Sequence, residues 1–229
     1  KVTHYSNGDD ILDGTVNNQW ADSNNGRYKF IDSENHPYDH SEDIVLYNAR
    51  AASDERNVCP EGWHVPSDDE FIELQLYLGM IDSDAYLEGY RGVDVASKLA
   101  GYSEYWGSGD LINSSDFGET GFNAIPSGIV HYNIGAHYTG SYQSMWSSTI
   151  NGQMGIKHNI NKSYNQVERV ITHVRWGGSI RCLADQPLLY AQTVSGPTNT
   201  NLTAGTHTFE HTVTDAYGAT HTDAVTITV

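Results

Sequence analysis

Cys59-Pro60-Glu61-Gly62-Trp63-His64-Val65-Pro66-Ser67-Asp68-Asp69-Glu70-Phe71-Ile72-Glu73-Leu74 is the stretch that decides how this chain is read. Pro66 biases Val65 toward an extended backbone, and Ser67 is then placed to cap a helix. Glu70 follows Ser67 by three residues, the spacing of a capping box, in which the two side chains satisfy each other's end amides. Asp68 and Asp69 fall in the first turn, where the helix dipole favours negative charge. Phe71, Leu74 and Leu78 recur at helical spacing, and Gly79 offers a stop. The stretch therefore predicts an extended entry and a capped amphipathic helix, with Cys59 and Trp63 anchoring the entrance as scaffold.

Around this stretch the charge is uneven. Lys plus Arg number 12 against 29 Asp plus Glu, a formal net charge of -17. Residues 1–119 hold 24 acids and 7 bases, whereas residues 120–229 hold 5 of each, so the first half carries the whole surplus. Such a surface opposes binding to a nucleic-acid backbone or an anionic bilayer. No apolar run is long enough to span a membrane, so neither nucleic acid nor membrane insertion is expected. The acids read as a solvated face or as loop sites for calcium, which takes six to eight oxygen ligands. Asp32, Glu34, Asp39, Glu42 and Asp43 are the candidate calcium ligands. Asp9, Asp10 and Asp13 form a second cluster, and Asp110, Asp116 and Glu119 a third.

Cys59 and Cys182 are the only cysteines, too few for a thiolate metal site. One long-range disulfide is the favoured reading, and it implies an oxidising compartment. Closing a loop of more than a hundred residues, it stabilises by roughly 3–5 kcal/mol in the chain-entropy view. Two free buried thiols are the alternative. Of the 11 histidines, His131 and His137 flank Ile134-Gly135, while His207, His211 and His221 lie in an alternating tail. Zinc is conceivable there, but solvated strand histidines are the simpler account.

Along the chain, residues 1–26 are turn-rich, Arg27 to Ile31 reads as a short strand, and Ile44 to Ala52 as a buried strand or short helix. Val93 to Ala100 reads as a second helix. From Gly128 to Leu183, short apolar pieces alternate with turns, which predicts an irregular, mostly antiparallel sheet. Residues 206–229 alternate with period two around Asp215-Ala-Tyr-Gly218, the pattern of two strands and a turn.

Val58 to Phe71, with Leu46-Tyr47-Asn48 upstream, resembles the Fibrobacter succinogenes major paralogous domain. The similarity continues through Lys98 to Gly101, Glu119 to Pro126, Met145 to Thr149 and Ser179 to Leu183, and it spans residues 1–185. The resemblance implies an extracellular or surface-attached bacterial domain with a fold related to C-type lectins and the formylglycine-generating enzyme. It also implies that Cys59 and Cys182 close that fold as a pair. Members begin with a β-rich stretch that Lys1 onward lacks, so an N-terminal strand is expected to be missing. Residues 189–229 are similar to the last strands of polycystic-kidney-disease-type or other immunoglobulin-like repeats. The fold class expected is thus α+β: a C-type-lectin-like body with two short helices and an irregular antiparallel sheet, followed by an all-β immunoglobulin-like segment.

Enzyme chemistry finds little footing. Both cysteines are assigned to the disulfide, which removes the reactive pair of a formylglycine-type oxygenase. No Gly-x-Ser-x-Gly occurs, and scattered Ser, His and Asp do not make a triad. A non-catalytic surface module that recognises a glycan or a protein is the expected function. The ligand residues would be Tyr102, Tyr105, Trp106, Tyr132, His137, Tyr138 and Tyr142, whose flat rings can stack on a sugar or peptide. The lectin calcium triplets Glu-Pro-Asn and Gln-Pro-Asp are absent, so recognition would not be calcium-bridged. A structural spacer, packed on neighbouring domains or subunits of a surface assembly, is the competing class.

Overall fold

The computed structural model describes residues 2–15, 20, 24–31, 44–133, 135–185, 204–214 and 220–228. Its first strands are β1 (Leu12–Asp13), β2 (Arg27–Ile31) and β3 (Ile44–Asn48). β3 runs directly into the short helix α1 (Ala49–Ala52), so the Ile44–Ala52 run is strand and helix in turn. Asn48 makes the switch: its Oδ1 accepts the Ala51 N–H at 3.0 Å as a helix cap and the Arg27 N–H at 2.9 Å. After β4 (Trp63–His64) comes α2 (Asp68–Tyr77), entered through the Ser67–Glu70 capping box and left through Leu78 and Gly79. His64 adds a contact from its Nε2 to Glu70 Oε1 at 2.9 Å.

β5 (Gly89–Arg91), α3 (Val95–Leu99) and α4 (Asp110–Asn113) lead into the strand-rich half. There follow β6 (Ile129–His131), β7 (Gly135–His137), β8 (Tyr142–Asn151), β9 (Met154–Asn161), β10 (Val167–His173), β11 (Gly177–Gly178) and β12 (Leu183–Ala184). The last two strands are β13 (Thr206–Thr214) and β14 (Thr220–Thr228), paired antiparallel in register from Thr206 opposite Thr228 to Thr214 opposite Thr220.

This architecture corrects the two-helix, C-type-lectin-like arrangement. Four α-helices are present among the described residues, of which only α2 has more than seven residues. The strands divide into a six-stranded sheet (β1-β2-β3-β11-β6-β7), a four-stranded sheet (β5-β10-β9-β8) and the pairs β4–β12 and β13–β14. The six-stranded sheet is mixed, since β1 and β2 run parallel. The sequence reading missed this division because the six-stranded sheet is assembled from two- to five-residue pieces too short to show a period. The immunoglobulin-like expectation comes down, among the described residues, to the one β13–β14 pair. By contacts the chain divides into two compact units, Lys1–Leu183 and Ala184–Val229.

Within the first unit the four-stranded sheet is the floor. Its back packs on the helices through Phe71, Val95, Leu99, Leu111, Met145, Ile160 and Val167. A second apolar cluster gathers Tyr47, Ala49, Val58, Cys59, Val65, Trp146 and Val174. Cys59 and Cys182 form a disulfide there, with Cα atoms 5.8 Å apart, joining positions separated by 123 residues. Trp146 is wholly buried and donates its indole N–H to the Tyr47 carbonyl at 2.9 Å, which ties the two sheets together. Gly178 allows that close approach, and Gly177 the approach of β6 beside it. A Cβ on Gly177 would stand 2.6 Å from Val130 Cβ, and one on Gly178 3.0 Å from the Ser144 carbonyl oxygen.

Candidate functional site

Register decides which side chains of the four-stranded sheet share a face. Trp146 lies opposite Lys157, Ser144 opposite Asn159 and Tyr142 opposite Asn161. Across the next ladder Lys157 faces Val170, and Asn159 faces Glu168. Tyr142, Lys157, Asn159, Glu168 and Val170 therefore project from one side. His158, Arg169 and Arg91 project from the other.

The far side carries a buried polar chain. Asp68, on the first turn of α2, accepts two hydrogen bonds from the Arg169 guanidinium, at 2.9 and 2.6 Å. His158 Nε2 lies 3.0 Å from Asp68 Oδ1 and its Nδ1 2.9 Å from Gln75 Nε2. Because a carboxylate only accepts, His158 donates from Nε2 and accepts at Nδ1 from the Gln75 amide. Gln75 Oε1 in turn accepts from Arg91 at 2.9 Å. Burial pushes His158 down to about 4, against a weaker upward pull from Asp68. Burial opposes the charge on Asp68, but the hydrogen bonds from Arg169 and His158 hold its carboxyl well below the usual range. Both ring nitrogens of His158 are thus taken, by Asp68 and Gln75, and the chain clamps α2 to the sheet.

The near side is open. A cleft of about 180 Å³ is lined by Lys157, Asn159, Glu168, Val170 and Thr172 from the sheet and Tyr142 from β8. Ile129 of β6 and Trp176, just before β11, form its facing wall. Trp176 is braced edge-on by His131, at a ring separation of 4.5 Å. Glu168 Oε2 accepts from the Tyr142 hydroxyl and from Asn159 Nδ2, the latter at 2.9 Å. Burial and the Glu168 carboxylate hold the Tyr142 phenol protonated far above its usual range. Since the Asn159 NH2 must face that carboxylate, its Oδ1 is left buried with no hydrogen-bond partner among the described residues. Ser144 Oγ, across the ladder, is in the same condition.

Lys157 is the unusual group. It is only 3% exposed, and its Nζ stands 5.1 Å from the Trp146 ring centre and 5.4 Å from that of Trp176. No acceptor among the described residues hydrogen-bonds it. Burial pushes its amine down to about 7, with Glu168 a weaker opposing influence. A second, larger hollow near Arg50 and Arg56 differs, because Arg56 is already paired with Asp54 at 2.8 Å.

The family model described as the Fibrobacter succinogenes major domain matches residues 1–184. The chain belongs to that family. No curated protein and no solved structure matches the chain. In this family domain the matched segment contains the disulfide, the α2 clamp and the whole cleft.

The structure separates the aromatic residues singled out from sequence. Tyr142 lines the cleft. Tyr138 is 64% exposed, 6.2 Å ring to ring from Tyr142, with His137 beside it. Tyr132 stacks on His131 and meets Trp176 edge-on at 6.3 Å, so it supports the wall from behind. Tyr102 and Tyr105 stack on one another at 5.2 Å on a neighbouring loop, joined to the Tyr138 loop by the Gly107 N–H on the Gly140 carbonyl. Trp106 is core: it is 5% exposed and its N–H is bonded to the Gly101 carbonyl. Lys157, Asn159, Glu168 and Trp176 were not singled out as ligand residues.

Asp32, Glu34, Asp39, Glu42 and Asp43 lie outside the described residues. Members of the other two acid clusters have side-chain partners. Asp9 pairs with Arg56 at 3.2 Å and Asp10 with His4 at 2.8 Å, while Asp116 and Glu119 both approach Lys98. Among the described residues no group of three or more His, Cys, Asp or Glu is placed to hold a metal ion, and no helix is long and apolar enough to cross a membrane.

Proposed function

We propose that this domain is a non-catalytic recognition module of a bacterial cell surface, and that its cleft holds one sugar ring of a glycan. The observation that carries the reading is an open, aromatic-walled cleft whose lining includes Asn159, with its Oδ1 unsatisfied, and Lys157, with no hydrogen-bond acceptor among the described residues. Buried polar groups are ordinarily hydrogen-bonded, and ligand sites are where a fold leaves such groups waiting. A pyranose offers what is missing: hydroxyls for Asn159 and Glu168, and a C–H face for Trp176. The cleft volume of about 180 Å³ is that of roughly six waters, enough for one ring. Glu168 is the one carboxylate among the lining residues, whereas glycoside cleavage ordinarily uses two, which supports binding without cleavage. The disulfide supports an oxidising, extracellular setting.

Binding of the wild type and of Trp176→Ala to a glycan array, followed by indole fluorescence titration of each hit, tests the reading. Saturable binding that the substitution removes is expected. Retention of every hit by Trp176→Ala, or no hit at all, would contradict it.

A further inference from the structure

We infer that the ring taken by the cleft is an acidic sugar, a uronate whose carboxylate accepts from Lys157 while its hydroxyls meet Asn159 and Glu168. The inference rests on the binding role proposed above and adds the ligand's charge. A buried ammonium facing two indole rings, with no hydrogen-bond acceptor among the described residues, is costly to hold. The missing partner is an oxygen acceptor, and an anionic one makes the stronger hydrogen bonds.

The floor is polarised along β9. Lys157 marks the cationic end, and Asn159, two residues on, marks an end that lacks a donor. Two residues along a strand span roughly 7 Å, about the distance from a carboxylate across a pyranose to the hydroxyls opposite. Glu168 keeps its charge toward the Asn159 end of the cleft, where its Oε2 accepts from Tyr142 and Asn159. Within residues 120–183, which build the floor, Glu168 is the one acid against five bases, so this stretch adds no net repulsion. An acidic peptide could supply the carboxylate, but it lacks the ring of hydroxyls and the flat face for Trp176.

The titratable groups on this face are Glu168 from β10, Tyr142 from β8, Tyr90 opposite Glu168 on β5 and, beyond Trp176, His131 from β6. Tyr142 stays uncharged, so Glu168 and the ligand set the ammonium's field. Because the amine sits near 7 in the empty cleft, binding a carboxylate near neutrality draws in a proton, and affinity falls as pH rises.

The test is calorimetric titration of the full chain with uronate trimers of the gluco, galacto and manno series, each beside its carboxyl-reduced neutral counterpart. A charge-assisted bond in place of a neutral one predicts a preference of at least about tenfold for one uronate at pH 6. That preference should shrink at pH 9, vanish in Lys157→Met, and come with proton uptake at pH 7 measured in buffers of different ionisation enthalpy. The Trp176 fluorescence change in Lys157→Met with any neutral binder checks that this variant keeps its cleft. Equal binding of charged and neutral trimers would overturn the uronate and leave the recognition role standing. Binding of a glutamate-rich peptide in place of every trimer would also overturn it. No binding by any glycan would remove both.

Discussion

Lys157 is where stability and recognition meet. Its amine titrates near 7 in the folded chain against 10.5 when unperturbed. Between those values the unfolded chain holds a proton that the folded chain lacks, so stability rises with pH from 7 toward 10. Lys157→Met should flatten that rise and make the protein more stable than wild type at pH 6, read as urea midpoints at pH 6, 7.5 and 9. The tyrosine phenols raised by burial, such as Tyr47 at about 12, respond only above this window. A wild-type midpoint that does not rise across it would mean a solvated amine. The sequence could not show this residue. Tyr142 was legible as an aromatic in a turn-rich segment, but Lys157, Asn159 and Glu168 share a face only through the register of β8, β9 and β10. Gly155 to Ile160 reads from sequence as one short strand piece, which does not say what Lys157 faces.

At the level of the helix and its sheet, local chemistry was legible and long-range chemistry was not. The Ser67–Glu70 box forms as its spacing predicts, because both partners lie within one turn. Asp68 looked like a dipole-facing acid of the first turn, yet its partner Arg169 is 101 residues away. Nothing near Asp68 in sequence signals that pairing. Asp68→Ala leaves a buried guanidinium uncompensated and should destabilise by about 3–5 kcal/mol, measured by chemical denaturation. A loss under about 1 kcal/mol, the scale of an exposed ion pair, would show the clamp to be solvated. On the acid side, His158 titrates near 4 when folded and 6.5 when unperturbed. The unfolded chain therefore takes up its proton first, and stability falls as pH drops from 6.5 to 4.

Across the whole molecule, the pairing of Cys59 with Cys182 was legible because no other cysteine competes. The division of strands between sheets was hidden, because β1, β4, β11 and β12 have two residues each. Cys182→Ala should lower stability by about 2–5 kcal/mol in non-reducing urea melts, and an unchanged midpoint would argue that the crosslink is dispensable. Since the disulfide, the clamp and the cleft all fall within residues 1–184, a chain of residues 1–185 should fold and keep the ligand affinity of the full chain. Loss of cooperative unfolding in that shorter chain would mean that the second unit completes the first.

The ionisation of Lys157 can be followed directly by NMR, through its side-chain Cε and Nζ resonances as pH is raised, with and without a bound uronate. A midpoint near 7 in the free protein, apart from the other lysines and moved upward by the ligand, is the expected result. A midpoint near 10.5 that no ligand displaces would contradict a buried, unpartnered amine and, with it, the uronate seat at Lys157.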